Sequence, residues 1–467
     1  MTTRRALGLV CLIAALNGLF FIWYQRPDWD TRWPDQEGYR RLGSVLATTG
    51  TFTRFPDAQR FAPEVIRTPA YPAFVATVYR LFGTSQLAIA LTQDALLVWI
   101  CLIVFAMGRR IASEPVALGA AAAVALFPPL PYFAALVMTE VWTTLMFTAS
   151  MWVAIRALRS GSVTLFAWLG VLLAVTTLSR PVFVLFPFAL AAVGWIVLPL
   201  ARVQTRPPAS RWVVTIAAFA VTMLPWFAYN YVTLGRFTLS PAGGVGRGLW
   251  EGSWQATWSG RLQDELTDLA NDTPDRAELD RRVAAVAARE SLPAAPMLEY
   301  VHQWKDIRRI WDTPTDPHQR VLARIEADRE YQRVALANIR RDSLSHLAMR
   351  LGRGVFILWA GEIPFRYSEI NALPRSMIRI GWAVQALIVC LALAGVVALA
   401  SSGRVAEACL LAAPIVYITA VHAPLLKEAR QSLPAQPIVL LLATIAAARW
   451  AGHSLPLKAQ VHERQHL

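Results

Sequence analysis

The sequence contains little cysteine, and its cysteines lack the spacing that a disulfide scaffold or a zinc site uses. The 467 residues include four cysteines, and each falls inside or at the edge of an apolar run: Cys11, Cys101, Cys390 and Cys409. No CxxC or Cys/His pair is present. We therefore expect neither a disulfide framework nor a structural zinc site. Internal repeats and low-complexity tracts are also absent, so repeat architectures are not expected.

Long apolar stretches are what the chain has in abundance. Hydrophobic residues make up 55% of the sequence and the mean hydropathy is +0.41. Stretches of about 18 to 25 mostly apolar residues recur, which is the length that crosses a hydrocarbon core. This composition predicts a polytopic membrane protein and excludes soluble globular folds. The net charge of +14 comes from arginine-rich loops that alternate with acid-containing ones, a pattern typical of membrane topology rather than of nucleic acid binding.

Arginine clusters at the ends of the apolar runs predict the topology, because positively charged short loops stay in the cytoplasm. The first run resembles a signal peptide, but its length and its bulky aromatic end favour a retained signal anchor. Both termini are then cytoplasmic, and about ten spans are expected at residues 6–24, 86–107, 115–131, 141–155, 163–178, 181–200, 213–231, 377–400, 408–420 and 434–448.

This topology divides the chain into three regions. Residues 1–232 form an N-terminal catalytic transmembrane module with the first outer loop, residues 233–375 an outer-face helical region, and residues 376–467 the C-terminal transmembrane helices with a cytoplasmic tail. We expect an all-α protein with amphipathic surface helices in the outer region. Two further runs, 71–83 and 354–365, are too short for a span and predict interfacial helices.

Acidic residues occur where the topology places the outer membrane surface. Asp35, Glu37 and Tyr39 follow the first span closely, and Glu140 begins a later one. Either set has an ordinary explanation, as solvated loop residues or as a negative charge at a helix start.

Cations that suit a phosphate group lie at the same level. Arg67 precedes two prolines in RTPAYP, although it also suits lipid headgroups by snorkelling. Arg180 lies at an outer boundary where arginine is disfavoured and therefore needs an anionic partner. His422 and Arg430 lie in HAPLLKEARQSLPAQP, between two short spans.

These segments, in their order, resemble the GT-C superfamily of integral-membrane glycosyltransferases. The resemblance rests on WPDQEGY, RTPAYP, FPPLPYFAALVMTE, SRP, PWFAYNYVTLGRF and EARQSLPAQP, and it extends over nearly the whole chain. The sequence is similar in particular to RgtA/B/C/D-like proteins, which are related to protein O-mannosyltransferases and lipid A aminoarabinose transferases.

The resemblance implies a role for each of these residues. Asp35, with Tyr39 four positions later, matches the acidic residue of the first outer loop, and Glu140 matches the second acidic position; both are expected to be catalytic. Arg67 and Arg430 correspond to contacts with the lipid-linked phosphate. A divalent ion is left open, with Asp35, Glu37 and Glu140 as its candidate ligands.

The residues are consistent with transfer of a hexose or pentose from a polyprenyl-phosphate sugar to a glycan, lipid or protein acceptor at the outer face of the inner or plasma membrane. Cations that include Arg67, Arg430 and Arg180 stabilise the departing phosphate. Asp35 accepts the proton of the acceptor hydroxyl, so a single displacement inverts the anomeric centre. Tyr39 and His422 complete the expected substrate site. Tryptophans 250, 254 and 258, spaced by four, predict one helix face that stacks on a sugar or anchors at the interface.

Two other classes of function remain as alternatives. A transporter or lipid flippase also has many spans, but it places polar groups near the bilayer midplane, whereas these residues lie at the ends of spans. A non-catalytic assembly subunit with the same fold is the third reading, because a fold does not determine function. The presence of Asp35, Glu140 and Arg67 argues against it.

Overall fold

The computed structural model describes residues 2–29, 33, 35–203, 206–255, 257–361, 373–425 and 427–452. Within these ranges all regular secondary structure is helical. In chain order the helices are α1 (Thr3–Gln25), α2 (Asp35–Thr49), α3 (Ala70–Phe82), α4 (Gln86–Ile111), α5 (Glu114–Ala125), α6 (Pro129–Ala134), α7 (Glu140–Ser160), α8 (Val163–Thr177), α9 (Pro181–Leu200), α10 (Ala209–Leu234), α11 (Val245–Trp254), α12 (Gly260–Asp272), α13 (Arg276–Glu290), α14 (Ala294–Asp312), α15 (Pro317–Arg341), α16 (Leu344–Phe356), α17 (Arg375–Ser401), α18 (Val405–His422) and α19 (Ala429–Trp450). A 3₁₀ turn, Arg26–Asp28, follows α1.

The apolar helices form a bundle that confirms the expected polytopic all-α fold. Eight helices of the described chain are long and apolar enough to cross a membrane: α1, α4, α7, α9, α10, α17, α18 and α19. The expected count of ten is approximate, because α5 and α8 have only 12 and 15 residues. At 1.5 Å per residue they extend about 18 and 22 Å, less than the roughly 30 Å hydrocarbon core. Prolines at 128 and 129 separate α5 from α6.

Small residues let the bundle helices approach closely, as is usual for helices packed in lipid. Helix α4 packs against α1, α5 and α7, α8 against α10, and α17 against α19. A Cβ on Gly170 of α8 would lie 2.3 Å from the carbonyl oxygen of Thr215, and one on Gly395 of α17 would lie 2.1 Å from that of Leu442. Larger side chains at these two glycines would force the helices apart.

The polar region between α10 and α17 folds as a helical subdomain, which we define as α11 to α15. Its core is aromatic, with Trp250, Tyr300, Trp304 and Tyr331 buried among aliphatic side chains. Trp250 is stacked on Tyr300 with ring centroids 4.9 Å apart and donates a hydrogen bond to Gln303 Oε1 at 2.7 Å. Amphipathic helices are confirmed here, whereas the three domain boundaries stay a prediction.

The expectation for the three tryptophans spaced by four was wrong. Trp250, Trp254 and Trp258 are 0, 8 and 7% exposed, because their indole rings pack into the aromatic core of the helical subdomain. Neither a sugar nor a membrane interface is in reach of a ring that other rings cover. Spacing by four places side chains on one helix face but does not say what that face packs against.

The two short runs that predict interfacial helices are helical where the structure describes them. Helix α3 covers the first run, and it packs against α2. In the second run, α16 continues as a π-helical turn, Ile357–Gly361, and residues 362–365 lie outside the described residues. The membrane-interface position of both runs stays a prediction.

Candidate active site

Helix ends and the turns beside them bring five charged side chains together at one end of the bundle. Asp35 is the first residue of α2, Glu140 the first of α7, and Arg430 the second of α19. Arg67 lies in the segment before α3, and Arg180 directly precedes α9. We call this set, Asp35, Arg67, Glu140, Arg180 and Arg430, the carboxylate–arginine cluster. Five of the seven predicted catalytic or substrate-binding residues, Asp35 among them, therefore meet within one site.

The Asp35 carboxylate lies between two guanidinium groups. Arg67 Nη2 is 3.8 Å from Asp35 Oδ1, and Arg430 Nη1 is 3.7 Å from Oδ2. Arg67 Nη2 also donates to the Asp35 carbonyl oxygen at 3.3 Å. The Asp35 side chain is 53% exposed, and both carboxylate contacts are longer than a charge-assisted hydrogen bond. The site thus combines an accessible carboxylate with two cations that retain free donors.

Glu140 is the buried member of the carboxylate–arginine cluster. Its side chain is 0% exposed, and Oε1 accepts a hydrogen bond from Arg180 Nη2 at 2.9 Å. Arg430 Nη1 lies 4.0 Å from the same oxygen. Arg180 Nε donates to Thr139 Oγ1 at 3.2 Å. The buried carboxylate therefore holds two arginines that neighbouring elements supply, which explains why an arginine is tolerated at position 180.

Arg67 is held from three sides. Its guanidinium carbon lies 4.6 Å above the Tyr39 ring, and Gly38 makes room for it, because a Cβ there would lie 2.2 Å from Arg67 Nη2. Glu64 Oε1 accepts the backbone N–H groups of Ile66 and Arg67 at 2.9 and 3.2 Å. Burial raises the pKa of Tyr39 to about 12, so its phenol stays neutral and offers a π face to the cation.

Arg430 is oriented by residues that sequence reasoning did not assign to it. Nε donates to Glu428 Oε2 at 2.6 Å, and the guanidinium lies 5.0 Å from the centre of the Trp33 ring. Trp33 Nε1 in turn donates to the Tyr132 hydroxyl at 3.2 Å. Glu64 and Trp33 carried no sequence signal, because each is recognised only by a contact with a residue far along the chain.

Two predicted residues do not join the carboxylate–arginine cluster through direct contacts. His422 is buried at the end of α18, where its Nδ1 donates to the Ile418 carbonyl oxygen at 2.9 Å. Glu37 is exposed on α2. Lys427, five residues after His422, has a buried Nζ without a hydrogen-bond partner in the described structure. His422 thus forms part of the helix end rather than of the charged surface.

The candidate ligands of a divalent ion do not fit one. Among the described residues, no group of three or more His, Cys, Asp or Glu side chains is arranged to hold a metal. Asp35 and Glu140 contact guanidinium groups instead. Glu37, two residues after Asp35, points about 200° away around the helix. Because nearby cations repel a divalent ion, we assign no step to a metal at these carboxylates.

The chain is similar to known membrane glycosyltransferases in the region that supplies most of the cluster. A family model described as dolichyl-phosphate-mannose-protein mannosyltransferase matches residues 66–228, about a third of the chain, a range that includes Arg67, Glu140 and Arg180. No similar sequence is found among curated proteins.

Solved structures share the architecture at low sequence identity. The oligosaccharyltransferase AglB of Archaeoglobus fulgidus, in complex with an inhibitory peptide and a dolichol-phosphate, is similar with a TM-score of 0.52 at 13% identity, over 99% of this chain and 53% of AglB. Its apo form has a TM-score of 0.54 at 13% identity, over 96% of this chain and 50% of AglB. The chain has the GT-C fold.

The all-helical fold that the resemblance implied is therefore confirmed. The chain spans about half the length of AglB. ArnT of Cupriavidus metallidurans, bound to undecaprenyl phosphate, is also similar, with a TM-score of 0.39 at 13% identity over 95% of this chain and 78% of ArnT.

Proposed function

We propose that this GT-C protein is a membrane glycosyltransferase that moves a sugar from a polyprenyl-phosphate-linked donor to an acceptor at the outer membrane face. The observation that carries the proposal is the convergence of two carboxylates and three arginines from separate elements at one end of the bundle. A transporter is disfavoured because these charges lie at helix ends rather than at the middle of a span.

The three arginines suit the phosphate of a lipid carrier. A polyprenyl phosphate keeps its tail in the hydrocarbon core and its phosphate at the bundle end, where Arg67 and Arg430 retain free guanidinium donors. Planar guanidinium groups form paired, charge-assisted hydrogen bonds with phosphate oxygens. AglB, which shares the fold, was solved with a bound dolichol-phosphate, and this supports a lipid phosphate as the class of carrier.

Asp35 is the base of the proposed reaction. The acceptor hydroxyl oxygen attacks the anomeric carbon, the bond from that carbon to the phosphate oxygen breaks, and Asp35 takes the hydroxyl proton. The electron pair of the broken bond leaves with the polyprenyl phosphate, whose added negative charge Arg67 and Arg430 stabilise. A single displacement of this kind inverts the anomeric configuration. The 53% exposure of Asp35 leaves its carboxylate open to the acceptor.

Glu140 supports this chemistry by positioning two arginines. A side chain that is 0% exposed cannot meet an acceptor hydroxyl without rearrangement, so we assign Glu140 a positioning role toward Arg180 and Arg430. His422 and Tyr39 bound the site without carrying charge: Tyr39 through its contact with Arg67, and His422 through its place at the end of α18.

The test is transfer by detergent-purified protein from a panel of synthetic polyprenyl-phosphate sugars. We expect one donor to turn over and Asp35→Asn to lower its rate by about 10²- to 10⁴-fold, the usual contribution of a general base. Donor binding, measured separately, should persist in that variant. Asp57→Asn is the matched control, because Asp57 is an exposed acid of the same segment, and its rate should equal that of the wild type.

Turnover should also persist in the presence of a chelator. Full activity of Asp35→Asn would remove Asp35 as the base, and loss of activity with a chelator that a divalent ion restores would contradict the metal-free reaction. A folded protein that binds none of the donors would favour the transporter.

A further inference from the structure

A second cavity lies where the helical subdomain meets the first loop, apart from the carboxylate–arginine cluster. Its volume is about 470 Å³, within the range of about 300–1,000 Å³ that ligand pockets occupy. Five arginines line it: Arg54, Arg247, Arg308, Arg320 and Arg324. The single carboxylate in the lining is Asp312. We call this space the arginine cavity. None of the five cluster residues lines it.

Three of the five arginines have carboxylate partners. Arg54 Nε lies 2.5 Å from Glu64 Oε2, Arg247 Nε lies 2.9 Å from Glu251 Oε1, and Arg308 Nε lies 2.9 Å from Asp312 Oδ2. The other two arginines form no ion pair with a described residue, and one of them, Arg320, is exposed to solvent.

Arg320 and Arg324 are those two cations. Arg320 Nε donates only to the Pro314 carbonyl oxygen, at 3.1 Å. Arg324 forms no ion pair with any described residue, and its guanidinium carbon lies 4.2 Å from the centre of the Trp311 ring. Burial and repulsion from Arg54 and Arg247 together lower the pKa of Arg324 to about 10, against the attraction of Glu64. An anion in the cavity would relieve both the lost hydration and this repulsion.

Guanidinium groups, rather than bare rings, face the arginine cavity. Trp304 and Trp311 line it but are only 2 and 9% exposed, and Arg247 and Arg308 lie 5.0 and 5.9 Å from the centre of the Trp304 ring. Planar guanidinium groups pair with a carboxylate or phosphate, so the cavity suits the anionic groups of a ligand.

The arginine cavity is coupled to the phosphate-binding side of the cluster through one residue. Glu64 pairs with Arg54 through Oε2, while its Oε1 accepts the backbone N–H groups of Ile66 and Arg67. Val65, which also lines the cavity, is two residues before Arg67. A ligand here would rest against the segment that presents Arg67 to Asp35.

We propose that the arginine cavity binds an anionic saccharide, a sugar chain that carries carboxylate or phosphate groups, as the remote part of the acceptor. The choice of a saccharide, as part of the acceptor, rests on the proposed function, whereas binding of an anionic group in the cavity does not. Interactions with a remote part of the acceptor orient its hydroxyl near Asp35.

The experiment measures equilibrium binding to the detergent-purified full chain, without donor, for two trisaccharides of the same backbone. A β-1,4-linked glucuronate trisaccharide carries three carboxylates, and cellotriose carries hydroxymethyl groups in their place. We expect the acidic trisaccharide to bind at least about tenfold more tightly, since one charge-assisted hydrogen bond contributes that much. Arg324→Gln should remove the difference.

The matched control is Arg309→Gln, because Arg309 follows Arg308 on α14 but is exposed and does not line the cavity. It should change the affinity for the acidic trisaccharide by less than about twofold, as expected for an exposed charge. Equal binding of the two sugars, no binding of either, or an equal effect of the two variants would overturn the proposal.

A further arm separates a saccharide from a lipid headgroup. The same titration is repeated in micelles that contain phosphatidylglycerol. Displacement of the acidic trisaccharide by this lipid, lost in Arg324→Gln, would assign the cavity to a headgroup and reject the saccharide; undisturbed binding supports it. None of these measurements depends on turnover. The binding result can therefore be interpreted even if the protein proves not to be a transferase.

Discussion

The helix bundle and the helical subdomain use ion pairs in opposite ways. In the bundle, the ion pairs at the two ends of α7 have buried carboxylates: Glu140 with Arg180 at one end and Glu407 with Arg159 at the other, where the carboxylates are 0 and 4% exposed. In the subdomain, pairs such as Arg289 with Glu265 are 53 and 32% exposed. A buried pair must offset a large desolvation penalty, so one missing partner is costly. An exposed pair leaves both ions hydrated, so little depends on it.

The two regions also build their cores from different side chains. The bundle packs alanine, glycine, leucine and valine, because helices in lipid associate through close backbone approach rather than through a hydrophobic effect. The helical subdomain carries a charged surface and buries an aromatic cluster around Trp250 and Tyr300, where burial from water supplies the driving force. Glu140 of the active site is buried at one end of the bundle, where loss of its ion-pair partner would leave an unpaired charge at a large cost in stability.

The largest expected effect is at Glu140. Glu140→Gln removes the charge that holds Arg180 and Arg430, so we expect a loss of about 3–5 kcal/mol of stability, as for other buried pairs that lose one partner. Transfer should fall at least about 100-fold, because displaced arginines no longer stabilise the leaving phosphate. Thermal unfolding in detergent and single-turnover transfer measure the two effects.

Glu407→Gln is the control for that variant. It breaks a pair of the same kind at the opposite end of α7, where Arg159 Nη2 lies 3.0 Å from Glu407 Oε1. We expect a similar loss of stability with donor binding retained. A normal single-turnover transfer rate in Glu140→Gln would show that Glu140 acts on stability alone.

The aromatic core of the helical subdomain should also be sensitive. Trp250→Ala removes a fully buried ring that contacts Tyr300 and Tyr331 and the shorter of the two indole hydrogen bonds to Gln303 Oε1. We expect a loss of about 3–5 kcal/mol, typical of a large aromatic residue truncated in a core. Limited proteolysis should cleave the subdomain before the bundle. Simultaneous loss of both regions would show that they unfold as one unit.

Lys427 tests a buried ion without a partner among the described residues. Burial lowers its pKa to about 8, and no described group forms a hydrogen bond with its Nζ. Since the charged form is disfavoured when folded, Lys427→Met should stabilise the protein at pH 7 by about 1–3 kcal/mol. The unfolded lysine binds more protons between the two pKa values, so wild-type stability rises as the pH increases from about 8 to 10.5, and the advantage of the variant shrinks over that window.

The measurement is the melting temperature of the wild type and of Lys427→Met at pH 7 and across this pH range. A lower melting temperature for Lys427→Met at pH 7 would show that the ammonium group has an anionic partner in the protein.

The smallest effect is expected at an exposed pair. Glu265→Gln removes a carboxylate whose Oε2 lies 2.7 Å from Arg289 Nη2, on the surface of the helical subdomain. We expect a change of about 0.2–1 kcal/mol that high salt reduces further. The loss of stability caused by the same acid-to-amide change would then be several-fold larger for Glu140→Gln in the bundle than for Glu265→Gln in the subdomain. Equal effects would contradict the distinction drawn between them.

Much of the site was predictable because its residues lie next to features that a sequence displays. Asp35 closely follows an apolar run, Glu140 begins one, and Arg67 and Arg180 precede prolines that start helices. Such positions mark the ends of spans, which topology brings to one level of the membrane. Glu64 and Trp33 had no such marker, since they act through contacts with Arg67 and Arg430.

The roles within the site were less predictable than its membership. Glu140 and Asp35 are both acids at helix starts, but one is 0% and the other 53% exposed. His422 lies in the expected segment, and yet its ring is bonded to its own helix. The tryptophans of α11 and the following turn have helical spacing that suits a sugar platform, but they form a core. Burial depends on what packs above a face, and spacing along one helix carries no such information.

The sequence by itself determined the class of the molecule: apolar runs of span length make a helical membrane bundle, because an unpaired backbone cannot remain in lipid. It also determined the level at which the charged residues lie, since that level follows from the ends of the runs. Only the tertiary structure decided which charges pair, which carboxylate stays open, and that five arginines enclose a second cavity. Those outcomes depend on contacts between segments tens to hundreds of residues apart, whose desolvation and geometry no local pattern encodes.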